Sequence, residues 1–154
     1  MKTVVTFSLF VFALSLLAQT STEKEVEKTI VDGNQYTMKN LVGPGDGVSK
    51  HGSLEFWSSG GLLQEVPPND TAGAWDVFNV YPKHIQVITL VEGQAAVAMY
   101  YSEGSLQPKG GALASHYLTR VMEVYVKEDG KWKLRAAHWS PITGGGGTTQ
   151  TAVE

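Results

Sequence analysis

Apolar and polar positions divide the chain into one helical segment followed by a succession of strands. Val26 and Ile30 share one helical face, with Glu23, Lys24, Glu27 and Lys28 around the rest. Thr22-Glu23-Lys24-Glu25 reads as a capping box, with Thr22 at the N-cap and Glu25 three residues on, and Gly33 is expected to end or kink the helix. Gly43-Pro44-Gly45-Asp46-Gly47 stops any continuation. Beyond it, Leu54-Glu55-Phe56-Trp57 and residues 62–66 flank Ser58-Ser59-Gly60-Gly61, a hairpin pattern. Residues 67–81 read as a loop carrying Trp75, Phe78 and Tyr81. Strands over 84–91 and 94–105 surround Glu92-Gly93. Strands over 116–127 and 131–140 surround Glu128-Asp129-Gly130, where Asp-Gly supplies the positive φ that tight hairpin turns require. A leading helix and then a meander of antiparallel strands predicts an α+β domain, the helix covering one face of a curved sheet.

The last hairpin offers an assignment of faces. Lys131, Lys133 and Arg135 alternate with Trp132, Leu134 and Ala136, so even positions are read as inward, and the same period carries His138 and Ser140 inward. On the partner strand Glu123 and Lys127 are taken as solvent markers. That turns Met122, Val124 and Val126 inward, and Leu118, Arg120 and His116 with them; a bulge in either strand would invert the assignment. On the preceding strand either Tyr101 and Glu103 or Tyr100 and Ser102 face inward; Tyr101 and Glu103, beside Val97 and Met99, are the favoured pair, though periodicity alone does not decide between them. Tyr117, Val121, Tyr125 and Trp139 then form an apolar outer face fit for a homodimer interface.

Composition narrows the function classes. The chain has 154 residues and 16.7 kDa, with 42% hydrophobic and 18% charged residues, a single globular domain's worth. A net charge of −3 and two arginines without a basic run argue against nucleic-acid binding. Lys2, the uncharged apolar residues 4–17 and Ala18-Gln19-Thr20-Ser21 read as a secretory signal peptide, so no membrane association is expected after cleavage. The expected organisation is a signal over 1–20, one domain over 21–142 and a disordered Gly/Thr tail over 143–154, in a secreted or periplasmic protein. With no cysteine, disulfides, thiolate metal sites and cysteine nucleophiles are excluded.

On this assignment His116, Arg120, His138 and Ser140 gather at the open end of the last hairpin, near Tyr101 and Glu103, around a pocket with an apolar floor and a polar mouth. Each has two readings. His138 is either a core histidine bonded to a carbonyl or an acid/base group. Arg120 either pairs with Glu103 or grips an anionic ligand. His116 is either a solvated edge histidine or part of the site, with Ser140 beside it. His84, His116, His138 and Glu103 offer metal-ligand atoms but no short ligand spacing, and no metal or other cofactor is expected.

Val124-Tyr125-Val126-Lys127-Glu128-Asp129-Gly130-Lys131-Trp132-Lys133-Leu134, ending in His138-Trp139-Ser140, resembles the last hairpin of the nuclear transport factor 2-like (SnoaL-like) superfamily. The stretch from Tyr81-Pro82-Lys83-His84-Ile85 to Gly111 is similar to the preceding strands of the calcium/calmodulin-dependent kinase association domain, one of its members. The resemblance implies a cone-shaped, cystatin-like α+β fold with a pocket at its wide end. By analogy with the superfamily's enzymes, His138 would be the base and Tyr101 an oxyanion donor. The glycine-rich stretch 43–50 departs from the usual opening of the family, and no residue matches the isomerase's base. Because the superfamily spans isomerases, dehydratases, cyclases and oligomerisation domains, fold alone does not decide function. Three readings follow: a pocket protein binding an unknown small molecule, anionic or carbonyl-bearing; a cofactor-independent isomerase, dehydratase or cyclase; and a structural homodimerisation module.

Overall fold

The computed structural model describes residues 19–70 and 73–142, together with Gly145 and Gly147. The apolar segment at residues 4–17 and most of the Gly/Thr tail lie outside the described residues. One helix, α1 (Ser21–Asn40), precedes six strands: β1 (Ser53–Phe56), β2 (Gln64–Val66), β3 (Trp75–Val91), β4 (Ala95–Pro108), β5 (Ala114–Glu128) and β6 (Lys131–Pro141). They form one sheet in the order β2-β1-β6-β5-β4-β3, antiparallel throughout except where β1 runs parallel to β6.

The helix is longer than its sequence suggests. Its capping box is Thr20 with Glu23: the Thr20 hydroxyl accepts from the Glu23 N–H at 3.2 Å, and the Glu23 carboxylate accepts from the Thr20 N–H at 2.8 Å. Thr22 is not the cap. It is buried and accepts from the Gly93 N–H at 2.8 Å, while Glu92 accepts from the Ser21 hydroxyl, so the helix start is tied to the β3–β4 turn. Nor does Gly33 end the helix, which runs to Leu41 in a left-handed cap. An internal glycine costs about 1 kcal/mol. Burial of Val26 and Ile30 against Ala96, Ala98, Tyr125 and Trp132 outweighs it, each aliphatic side chain being worth about 1.5–3 kcal/mol.

Both tight hairpins form where expected. Asp129 and Gly130 take positive φ between β5 and β6, and Gly93 does so between β3 and β4. The expected loop over 67–81 is only half loop, because β3 begins at Trp75 and pairs with β4 at once. The glycine-rich stretch before β1 has its own place in the sheet. Ser49 donates to the Leu134 carbonyl at 2.9 Å and Leu134 to that of Gly47 at 2.8 Å, laying this stretch beside β6 before β1 takes over at Ala136.

That handover coincides with a bulge. Tyr125 pairs with Leu134 but Val124 with Ala136, leaving Arg135 as the extra residue. Even positions of β6 face the helix before the bulge (Trp132, Leu134), odd positions after it (Ala137, Trp139). The expected continuation of the even phase to His138 and Ser140 is therefore corrected: both lie on the convex face. On β5 the inward set is Tyr117, Thr119, Val121, Glu123 and Tyr125, all buried, so the expected inward set of Met122, Val124 and Val126 is inverted too. On β4 the buried positions are Ala96, Ala98, Ser102 and Leu106, with Tyr101 facing outward.

Candidate functional site

A cavity of about 590 Å³ lies between α1, the stretch before β1, the β1–β2 hairpin and the concave face of the sheet. Its walls are aromatic: Trp57, Trp75, Phe78, Tyr100, Tyr117, Tyr125, Trp132 and Trp139. Gly33 and Asn34 border it on the helix side, where a glycine leaves open space: a Cβ at Gly33 would meet nothing within 4 Å. The twist of the sheet and the helix laid across one end of it leave the other end hollow, a common place for a small-ligand site.

Two carboxylates line this cavity. Glu55 is 1% exposed, its oxygens accepting from the Ser53 hydroxyl at 2.5 Å and the Trp57 indole N–H at 2.8 Å. Glu123 is 6% exposed and accepts from the Tyr125 hydroxyl at 2.8 Å. Burial pushes the Glu123 carboxyl up to about 7; hydrogen bonds from Tyr125 and Tyr100 oppose the shift, and the nearby Glu55 charge adds to it. Burial also drives the Tyr100 and Tyr125 phenols well above their ordinary value, with the Glu123 charge adding to it. Both tyrosines therefore stay protonated donors. Tyr117, raised by burial, donates to Ser58 Oγ at 3.3 Å. A carboxyl that titrates near neutrality beside two fixed phenol donors can hold or release a proton within an apolar cavity.

The sequence-derived candidates sit elsewhere, though several do come together. Ser140, Arg120, Tyr101 and Lys83 form one row across β6, β5, β4 and β3 on the convex face. Arg120 Nε donates to Ser140 Oγ at 2.8 Å, in the open. Glu103 pairs with Lys83 rather than Arg120, and the Lys83 hydrogen bond holds its carboxyl below the usual range. Tyr101 packs edge-on against His84 at 6.2 Å between ring centroids. His138 lies beside Phe56 at 5.7 Å, and His116 is exposed near the start of β5. None of these six residues lines the concave cavity. The apolar face assigned to a dimer is likewise displaced, since Tyr117, Val121, Tyr125 and Trp139 all have their side chains on the concave side. Among the described residues, no three His, Asp or Glu side chains converge at metal-binding distance.

Glu123 stands among the solvent markers of the sequence reading, and Glu55, in a short strand, carries no face assignment there. Two patterns could have found them. Glu123 is in phase with Tyr117, Val121 and Tyr125, a better core stripe than Met122, Val124 and Val126. In β1 the polar Ser53 and Glu55 are buried while Leu54 and Phe56 are 40% and 46% exposed, an inside-out strand that marks a polar site beneath it.

No protein-family model matches the chain, and neither does any curated protein. Solved structures do. A protein from Exiguobacterium sibiricum ascribed to the calcium/calmodulin-dependent kinase II association domains superposes with a TM-score of 0.57 at 13% identity, covering 80% of this chain and 95% of the other. A nuclear transport factor 2-like protein of unknown function from Pseudomonas putida gives 0.56 at 14% identity, covering 86% and 96%. Another of unknown function, from Prochlorococcus, gives 0.52 at 15% identity, also covering 86% and 96%. With one helix across the concave face of a bent, mainly antiparallel sheet, the chain has the nuclear transport factor 2-like fold.

Proposed function

We propose that this chain binds a small, mainly apolar molecule in the cavity beneath α1. The observation that carries the reading is Glu123: a buried carboxyl, held by the Tyr125 hydroxyl at 2.8 Å, on the wall of a 590 Å³ aromatic cavity. A fold needing only stability would fill such a space, because an unfilled cavity and a buried acid both cost free energy. Native mass spectrometry of the purified protein tests the reading. A discrete small mass retained by the wild type and lost in Gly33→Trp supports it. A mass retained equally by both would place the ligand elsewhere. In the same proposal the apolar segment at residues 4–17 directs secretion, and the spectrum reports whether it has been removed.

The titration of Glu123 near 7 favours a second reading, acid/base catalysis of the isomerase, dehydratase or cyclase type. Here Glu123 is the proton carrier and Tyr100 or Tyr125 stabilises a developing oxyanion. Glu123→Gln would keep the ligand and lose roughly 10²-fold or more of turnover. Equal turnover in the two proteins would remove this reading.

The convex face supports homodimerisation as a property alongside either reading. Phe56, His138, Met122, Met99 and Gln86 form one row across five strands, with Phe56, Met122 and Met99 each more than 40% exposed. A structure of the same fold is named for association, in line with self-pairing.

A further inference from the structure

We infer that the ligand of the cavity is an organic amine, held as its ammonium between Glu55 and Glu123 against the indole and phenol faces. This rests on the reading of the cavity as a ligand site and names the chemistry it selects. Both carboxylates are more than nine-tenths buried and line the same cavity. Their hydrogen-bond partners, Ser53 and Trp57 for Glu55 and Tyr125 and Tyr100 for Glu123, are all neutral donors. Among the described residues neither enters an ion pair; those pairs all join other groups. Among the described residues no arginine or histidine lines the cavity, and the one lysine that does, Lys109, is exposed in the turn after β4.

A buried carboxylate is costly unless a cation or several hydrogen bonds offset it. Each carboxylate offers about four acceptor positions, and the protein fills only some of them. An ammonium supplies the missing charge together with up to three N–H donors. Trp57, Trp75 and Trp139 also line the cavity, and indole rings attract a cation at close range. An anionic ligand would face the buried carboxyl oxygens with no cation nearer than the exposed Lys109. That replaces the expectation of an anion held by Arg120, whose side chain is on the convex face. The aromatic walls call for an apolar body on the amine.

The test is calorimetric titration of the full protein with three probes on one frame at about pH 8, where Glu123 is ionised: 1-naphthylmethylamine, 1-naphthalenemethanol and 1-naphthoate. The amine is expected to bind about 10-fold or more tighter than the alcohol, and the carboxylate weakest. Glu123→Gln should bring the amine down to the level of the alcohol while the alcohol's own affinity persists, which also shows that the variant is folded. Glu55→Gln provides a second variant with the same expectation. If the alcohol or the carboxylate binds as tightly as the amine, the amine assignment is overturned and the cavity remains a ligand site of other chemistry. If none of the three binds at about 1 mM, the assignment and the binding reading fall together.

Discussion

Glu55 and Glu123 stand on either side of Ala137, each paired with it through the backbone, β1 on one flank of β6 and β5 on the other. Strands about 4.8 Å apart place the two acid-bearing backbones about 9–10 Å from each other, on the same face and in the same row. The methyl of Ala137 between them lets both side chains lean over it. Ala98 and Val87 continue the row across β4 and β3, where Ala98 is covered by the helix.

Ala137→Val therefore tests the row directly. Ala137 is 6% exposed, and two added methyl groups would press on both carboxyl side chains. Overpacking of this kind costs about 1–3 kcal/mol, more than the gain from a β-branched residue in a strand. Urea unfolding should show a lower midpoint at an unchanged slope. An unchanged midpoint would mean that the carboxylates are not crowded around this position.

Glu123 makes stability depend on pH in a direction opposite to that of an ordinary surface carboxylate. Its pKa rises from 4.5 to about 7 on folding, so between these values the native state binds more protons than the unfolded state. Stability from this group is full below about pH 4.5, declines as pH rises and levels off above about pH 7, a total of roughly 3 kcal/mol. The groups facing it are Glu55 on β1, Tyr100 on β4 and Tyr125 on the same strand. The carboxyls of Glu25, Asp46, Glu92, Glu103 and Glu128, held below their ordinary values, act in the acid range beneath this window. Denaturant midpoints of wild type minus Glu123→Gln isolate the effect. A difference that is flat from pH 5 to 8 would remove it.

How far the sequence could be read follows from where its period was unbroken. The Asp129-Gly130 and Glu92-Gly93 turns, the helix over Val26 and Ile30, and the resemblance in residues 124–140 all rest on local signals, and the fold came out of them. The candidate site rested on carrying a period-two phase through Arg135. A single bulged residue there turned His138 and Ser140 to the other face. No local signal marks that bulge, because its cause is distant: residues 47–49 occupy Leu134, and β1 begins its pairing at Ala136. Glu123 was hidden for a different reason, since its burial depends on hydrogen bonds from Tyr125 on its own strand and from Tyr100 on the neighbouring one.

The convex-face residues serve as internal controls. His138→Gln, Tyr101→Phe and Arg120→Ala should leave ligand retention and any turnover within about 2-fold of wild type, and stability within about 0.5 kcal/mol. Arg120 and Ser140 bond in the open, where such contacts contribute little. A loss of binding or activity in any of the three would return the site to that face.

Gly33 separates the two jobs of α1. Gly33→Ala should raise stability by about 0.5–1 kcal/mol, because the glycine sits inside a helix with free space where a Cβ would go. Gly33→Trp puts an indole at the border of the cavity and should block the ligand with the fold intact, as read by circular dichroism and thermal melting. Gain in the first variant with unaltered binding in the second would mean that the ligand does not enter beneath the helix.

Met99 and Met122 pair directly across β4 and β5 at the centre of the exposed apolar row, 49% and 44% exposed. If two protomers pack convex face to convex face, four methionines meet in the middle, and lysines there would bring like charges together in a desolvated contact. Met99→Lys with Met122→Lys should give a monomer by native mass spectrometry where the wild type gives a dimer. Its melting temperature, measured at low protein concentration, should stay close to wild type because the exposed side chains make little of the fold. A wild-type monomer would end the pairing argument. A double variant that remains dimeric would move the interface off this row, to a surface that the apolar pattern of the strands does not mark.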